Sequence, residues 1–313
     1  MVNRGSAERF GRAMAATIIF TALMGLWPAA NHAQELEART YSNAPVGLNF
    51  IGGAYVFSTG NVLVDPSLPV EGLESDLHLF ALRYTRTIGF LGKNAKLKLV
   101  LPIATASFTG SLAGESRSRA IEGLGDARAI FELNFLGAPA LEPREFGGYR
   151  QATIVGTSLA VILPTGQYDA DKLLNLGTNR WGFRPEIGVS RAVGRWTLEA
   201  TATVWLYTDN DDFFGGQLLD QDPLYALQGH VIFNLRPGFW LGFDVGYANG
   251  GTTTLDGVRS NTLQSNIRTG VTALYPLGSR HGVKLAFSTG ASTRIGADFE
   301  TFSIAYQYMW GNG

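Results

Sequence analysis

Apolar and polar residues alternate along most of the chain, and the alternation is clearest in two segments. These are "DARAIFELNF", residues 126–135, and "RWTLEATATVWLY", residues 195–207, in which every second residue is apolar. In the second segment, Thr197, Glu199 and Thr201 occupy the alternate positions. Because side chains alternate across a β-strand, each segment predicts a strand with one apolar face and one polar face.

The same pattern recurs in ten further segments. Regular alternation covers residues 181–190, 227–235, 239–247, 281–292 and 302–310, and less regular alternation covers 46–57, 77–88, 96–108, 151–163 and 263–275. An even number of strands is typical of a bacterial single-chain barrel. We therefore predict an all-β fold, a transmembrane antiparallel up-and-down β-barrel of about twelve strands over residues 46–313.

The lengths of the predicted links support the barrel. Odd links are mostly long and even links mostly short: long at 58–75, 109–122, 165–180, 209–223 and 249–262, and short at 89–95, 194–195, 236–238 and 276–280. Outer-membrane barrels have long exterior loops and short periplasmic turns. Two links break the rule, the long even link "GAPALEPREFGGY" and the short odd link "IGAD". Pro185 lies inside a predicted strand, where we expect a bulge or bend.

Composition fits a membrane or secreted β-protein. The chain is 45% apolar and 16% charged, and it contains 39 Gly and no Cys. The absence of Cys excludes disulfides and thiolate metal sites. A net charge of −1 gives no electrostatic reason to expect a nucleic-acid partner.

The first residues predict export. Arg4, Arg9 and Arg12 precede an apolar run over residues 13–27, and Ala33 is a small residue at a suitable cleavage position. This is the pattern of a cleaved secretory signal peptide over residues 1–33, with an uncleaved anchor as the alternative. Residues 34–45 then form a short segment in the periplasm or the lumen. We expect the mature chain in the outer membrane of a Gram-negative bacterium.

Aromatic residues near strand ends predict an interfacial girdle. The four candidates are Trp181, Trp196, Trp240 and Trp310. The alternative is that large aromatics cap a hydrophobic core. The predicted partners are outer-membrane lipid, lipopolysaccharide and the barrel assembly machinery, because the aromatic end of the closing strand is similar to the signal which that machinery reads. We expect a monomer.

Polar residues on the inward parity are candidates for contact with solute. We expect charges on this face to point away from lipid, where Arg or Lys costs roughly 2 to 4 kcal/mol at mid-membrane. The alternative role is a polar network that braces the barrel. Small inward residues such as Gly246 and Gly270 would widen the passage. The lumen-facing candidates are Arg128, Glu132, Asn134, Glu199, Gln228, His230, Asn234, Asp244, Asn266, Arg268, Lys284 and Arg294.

Two exterior loops carry further candidates. In "LPTGQYDADKLLNLGTNRW", Tyr168, Asn175 and Asn179 belong to a folded loop with tight turns, which either gates the barrel mouth or packs outside it. Phe213 and Phe214 in the next long loop favour the uptake of apolar solutes. The acidic residues before them indicate a solvated loop, with a divalent cation as the alternative.

An enzyme is the main alternative class. The sequence has no Gly-x-Ser-x-Gly element and no paired-His metal spacing, and parity alone does not bring Ser288 and His230 together. We therefore predict no catalytic residues, no metal and no cofactor.

Several motifs carry a family resemblance. "ARTYSNAPVGLNF", "GLGDARAIFELNF", "LPTGQYD", "LNLGTNRWGFRPEIGVS", "YTDNDDFFGG", "QDPLYALQGHV" and "NIRTGVTALYPL" together resemble the outer-membrane transporters of the phenol-degradation MetA group, to which proteins of the SphA type are related. The resemblance implies an outer-membrane barrel concerned with uptake of aromatic or other apolar compounds. We expect passive uptake of a small apolar solute, with a non-specific small porin or a structural barrel as alternatives and a barrel hydrolase as the least favoured one.

Overall fold

The computed structural model describes residues 36–63, 70–112, 114–172 and 174–311. The predicted signal peptide therefore lies outside the described residues. No helix in the described ranges is long and apolar enough to cross a membrane.

Twelve wall positions form a closed antiparallel barrel, as the alternation predicted. The first strand pairs with the second on one side and with the last strand on the other, the latter from Leu48↔Gly311 to Leu63↔Gly296. The wall strands are β1 Leu48–Leu63, β2 Val70–Phe90, β3 Lys93–Leu112, β4 Glu115–Leu124, β5 Arg128–Leu136, β6 Thr153–Ile162, β7 Gly182–Val193, β8 Trp196–Tyr207, β11 Leu224–Arg236, β12 Phe239–Gly250, β15 Gln264–Pro276, β16 His281–Ser292 and β17 Gly296–Gly311.

Two strands, β4 and β5, together take one of the twelve places around the barrel wall. The strand β4 pairs with the second half of β3, from Ile103↔Leu124 to Leu112↔Glu115, whereas β5 pairs with the first half, from Ala95↔Leu133 to Val100↔Arg128. Residues 125–127 interrupt the wall between them. We call the end of the barrel at Leu48 and Gly311 the turn end, and the end at Leu63 and Gly296 the loop end.

Two predicted loops are largely strand. Much of 58–75 belongs to β1 and β2, and most of 109–122 belongs to β3 and β4. Those predictions were wrong because a hydrogen-bonded hairpin extends the wall with polar residues on both faces, as in "ESRSR" of β4, and such a strand has no apolar alternation to detect. Of the two links that break the length rule, one is long and one is short, as predicted: residues 137–152 contain the helix α1 (Pro143–Phe146), and β16 joins β17 through residues 293–295.

Two loops at the loop end build a small sheet of their own. It contains β9 Asn210–Phe213, β10 Gln217–Gln221, β13 Thr253–Leu255 and β14 Val258–Arg259. Phe213, Leu219 and Leu255 form its buried core, and Phe214 packs against them. Phe213 is thus a structural residue of the exterior sheet, and the expected apolar contact surface at this position is not present.

Pro185 does not create a bulge. The ladder between β7 and β8 omits Arg184 and Pro185, but Phe183↔Leu206 and Glu186↔Thr203 keep one register, so no residue is inserted. A proline lacks the backbone N–H that the ladder needs, and the described strand loses pairing there without changing its alignment.

The outer face carries exposed apolar side chains, such as Leu99 (59% exposed), Phe243 (54%) and Val271 (52%). Trp181, Trp196 and Trp310 are also exposed, at or next to strand ends. Trp240 is not, and its assignment to the girdle was wrong. Its neighbour Leu241 takes the outward position, so Trp240 faces the lumen and is only 7% exposed.

Candidate functional site: a divided lumen

Residues 36–46, which we call the luminal segment, lie inside the barrel. They run from the turn end towards the middle of the lumen and are held by hydrogen bonds to the wall. Asn94 Nδ2 donates to the carbonyl of Ala44 at 2.7 Å, and Lys96 Nζ donates to the carbonyl of Thr40 at 2.8 Å. Because backbone carbonyls are obligatory acceptors, these side chains replace the water that would otherwise solvate the segment.

Tyr41 is the best-packed side chain of the segment. It is 2% exposed, and its hydroxyl donates to Glu186 Oε1 at 2.8 Å. Its ring lies against Gly156 and Gly188, where an added Cβ would be 2.2 Å from a ring carbon. Only glycine leaves room for the ring at these two wall positions.

Arg39 connects the segment to the opposite wall. Its backbone N–H donates to Glu199 Oε2 at 2.7 Å, and its guanidinium donates to Asn234 Oδ1. The guanidinium also lies 5.7 Å from the centre of the Trp240 ring, within the range of a cation–π contact. The luminal position of Trp240 therefore has a clear packing role.

A buried charge cluster lies beside the segment. Lys96 Nζ and Lys98 Nζ each lie 2.5 Å from an oxygen of Glu132, whose side chain is fully buried. One carboxylate thus faces two ammonium groups, and Lys96 completes its hydrogen bonds at the segment. A buried charge is tolerated only when it is paired, and each oxygen of Glu132 has an ammonium group as its ion-pair partner.

The inner end of the luminal segment is held by an ion pair and by close packing against glycines. Glu37 Oε1 lies 2.9 Å from Arg83 Nη1, and the positive charge of Arg83 is the main cause that holds the pKa of Glu37 well below its ordinary value. Leu36 packs against two glycines, since a Cβ on Gly246 or Gly270 would lie 2.8 or 3.2 Å from its methyl carbons. These glycines make room for the segment, and Gly270 also lines the open cavity beside it.

A cavity remains in the lumen beside the luminal segment. A cavity of about 380 Å³ reaches from Tyr207 near the loop end to Gln307 near the turn end, and Leu36 and Glu37 form part of its lining. Most of its wall comes from β1, β2 and β15–β17. Small or aliphatic side chains line this side, including Ala54, Val56, Ala286 and Ala305.

At the loop end, the cavity meets aromatic and cationic side chains. Trp205 and Tyr207 stack with ring centres 6.4 Å apart. The guanidinium of Arg180 lies 4.3 Å from the Tyr207 ring centre, and that of Arg184 lies 5.1 Å from the Trp205 ring centre. Burial lowers the pKa of Arg180 from its ordinary value. We call Arg180, Arg184, Trp205 and Tyr207 the arginine–aromatic mouth.

Comparison with known proteins assigns the barrel to a family. The sequence profile of the family described as "Putative MetA-pathway of phenol degradation" matches residues 52–308. The chain belongs to this family. No curated protein matches it.

Two solved structures are similar to this member of the phenol-degradation family. The COG4313 outer membrane channel from Pseudomonas putida F1 is similar with a TM-score of 0.75 and 21% identity, covering 88% of this chain and 100% of that one. The translocator domain of the autotransporter NalP from Neisseria meningitidis is similar with a TM-score of 0.48 and 9% identity, covering 91% and 96%. The first likeness shows a barrel of the outer-membrane type.

Nine of the twelve predicted inward residues of this family member separate into two groups. Those that hold the luminal segment directly are Asn134, Glu199, Gln228 and Asn234, and Glu132 holds it through Lys96. Arg128, Asp244, Arg268 and Lys284 line the open cavity. His230 binds Asp244, with Nδ1 2.7 Å from Oδ1, and Asn266 donates to the carbonyl of Ile295 in the last loop-end turn.

Arg294 is placed differently from the expectation. It lies in the turn after β16, where it is exposed and donates to the carbonyl of Leu263. The strand ends at Ser292 because the chain turns over residues 293–295, so strand parity no longer applies to Arg294.

The folded exterior loop closes over the wall interruption. Asp126 Oδ1 accepts from the N–H of Gly166 at 2.8 Å, and Asp126 Oδ2 accepts from the N–H and hydroxyl of Thr178 at 2.8 and 2.7 Å. Of the predicted loop residues, Asn179 donates to Asn210 Oδ1 at 3.0 Å.

The other two predicted residues of this loop also have loop partners. Tyr168 donates to the carbonyl of Asp212 at 3.0 Å, and Asn175 donates to the carbonyl of Asp169, also at 3.0 Å. Asn175 therefore orders the loop itself, whereas Tyr168 and Asn179 join the loop to β9 of the exterior sheet.

Ser288 and His230 are not brought together. The Ser288 hydroxyl accepts from Arg268 Nε at 3.0 Å, and no hydrogen bond joins it to His230 in the described part of the chain. Sequence reasoning also missed Lys96, Lys98 and Arg184. The alternation in "AKLKLV", with Lys96 and Lys98 on one parity and Leu97 and Leu99 on the other, is the signal that identifies the first two.

Proposed function

We propose that the protein is an outer-membrane conduit for the passive uptake of small apolar compounds. The observation that carries this proposal is the cavity of about 380 Å³, which runs along a wall of small and aliphatic side chains beside the luminal segment. Apolar pockets of this size suit small organic molecules. Transport down a gradient needs no cofactor.

Location in the outer membrane is supported by the exposed apolar face and by the family. A soluble protein rarely exposes a continuous apolar belt, whereas a membrane barrel requires one. The partners in this proposal are outer-membrane lipid and lipopolysaccharide around a monomer, after delivery by the barrel assembly machinery.

The luminal segment argues against a general porin. It fills part of the lumen and is fixed by Tyr41, Arg39 and the buried cluster of Glu132. A twelve-strand barrel without it would lie between side-chain-filled small barrels and open porins. With it, the space that remains lies mostly along β1, β2 and β15–β17.

The test is solute influx into proteoliposomes. We expect faster influx of benzyl alcohol than of arabinose, after correction for protein-free permeation. Ala305→Phe should reduce benzyl alcohol influx severalfold, because Ala305 lines the cavity, and Ile304→Phe should not, because Ile304 faces outward. Faster influx of arabinose would indicate a porin, and no effect on either solute would refute the conduit.

A further inference from the structure

The arginine–aromatic mouth contains buried guanidinium nitrogens that have no hydrogen-bond partner among the described residues. Arg180 is 6% exposed, and its Nε and Nη1 have no hydrogen-bond partner among the described residues. Arg184 Nε, which is also buried, is likewise unpartnered within the described ranges. A buried guanidinium donor without an acceptor is costly, so three such atoms in one mouth point to an absent acceptor.

Positively charged side chains also outnumber carboxylates along the cavity. Five cationic side chains line it, Arg83, Arg128, Arg184, Arg268 and Lys284, against three carboxylates, Glu37, Asp126 and Asp244. Each carboxylate engages partners of its own.

Two of the three carboxylates have partners described above. Glu37 pairs with Arg83, and both oxygens of Asp126 accept hydrogen bonds from the exterior loop. Asp244 accepts from Thr272 at 2.6 Å and lies 2.7 Å from His230 Nδ1. The carboxylates along the cavity are therefore already paired, and the lining carries more cationic than anionic side chains.

Aromatic and aliphatic surface adjoins these cations. Trp205 and Tyr207 line the cavity together with Ile162 and Leu176. A flat apolar body can lie against the two rings while a charged group reaches the guanidinium groups. A planar carboxylate matches the fork of a guanidinium, with two parallel hydrogen bonds.

We propose that the mouth is a recognition subsite for an aromatic carboxylate, so that the conduit takes apolar molecules with a single negative charge. This rests on the proposed function and names its substrate class. Arg180 and Arg184 would bind the carboxylate, and Trp205 and Tyr207 would contact the ring.

The test compares benzoate with benzamide, which has the same shape and no charge. Binding to the detergent-solubilised protein is measured by calorimetry at neutral pH. We expect benzoate to bind about tenfold tighter than benzamide. The double variant Arg180→Gln, Arg184→Gln should bind both solutes equally, and Arg184→Lys should keep part of the preference.

Arg117→Gln is the matched control. It removes one positive charge from an exposed hairpin position that pairs with Glu115, outside the cavity, and should keep the full preference. Equal binding of both solutes to the unaltered protein would overturn the proposal without any variant, as would a full preference in the double variant.

Influx separates this proposal from the proposed function. Tight binding of benzoate without faster influx of any solute would sustain the subsite and refute the conduit. Equal binding and equally accelerated influx of both solutes would refute the subsite and sustain the conduit.

Discussion

The two sides of the lumen differ although one wall builds both. On the side of β5–β12, long polar side chains such as Glu186 and Glu199 meet the luminal segment. On the side of β1 and β15–β17, residues such as Ala54, Ala286 and Ala305 leave the space open. On the filled side, inward polar residues hold a segment of the chain itself, whereas on the other side small inward residues leave the route open.

The largest effect should come from breaking the charge cluster on the filled side. Glu132→Gln leaves Lys96 and Lys98 buried without a carboxylate, which should lower the free energy of unfolding by about 3 to 5 kcal/mol. Urea unfolding in lipid vesicles measures it. On the open side, Lys284→Gln should change the free energy of unfolding by no more than about 1 kcal/mol. Equal losses would contradict the comparison.

A smaller effect should follow from displacing Tyr41. In Gly188→Ala, the new Cβ would lie 2.2 Å from the Tyr41 ring and must push it away, at a cost of about 1 to 3 kcal/mol. We expect arabinose influx to rise severalfold as the segment loosens. Gly53→Ala is the control, because its Cβ meets nothing within 4 Å. Unchanged influx in Gly188→Ala would show that the segment does not restrict the lumen.

The smallest effect should be a pH dependence of the segment's inner end. The pKa of Glu37 in the docked segment is lowered, chiefly by Arg83, so the contribution of this ion pair to docking is present above about pH 4.5 and is lost as pH falls towards the docked value. Because the pair is partly exposed, the contribution should be below about 1 kcal/mol.

Channel conductance should therefore be constant from about pH 8 to about pH 5 and rise slightly below about pH 4.5. Glu37→Gln should abolish that rise. A change in conductance near neutral pH that persists in Glu37→Gln would show that another group controls docking.

The alternation of apolar and polar residues predicted most strands of the barrel wall but little of what fills the lumen. Alternation correctly predicted that Glu132 and Glu199 point inward. It also predicts an inward Trp240, but the position of Trp240 near a strand end favoured the girdle. Alternation could not predict the loop hairpins or the end of β16 before Arg294, because neither feature depends on an apolar face.

The contents of the lumen depend on contacts between distant residues. Arg39 meets Glu199 and Asn234, which lie 160 and 195 positions later in the chain. No local pattern in residues 36–46 encodes these partners. The glycines opposite Tyr41 and Leu36 were visible in the sequence, but their use became clear only when the segment was seen beside them.

The division of the lumen can be tested most directly by labelling single cysteines, because the chain has no native Cys. Ala305→Cys lies on the open side, and Thr201→Cys lies beside Gly188 under Tyr41. The labelling rate with a small apolar thiol reagent is measured in vesicles with and without benzyl alcohol. The account predicts rapid labelling at position 305, slowed by benzyl alcohol, and very slow labelling at position 201. Similar rates at both positions would contradict a divided lumen.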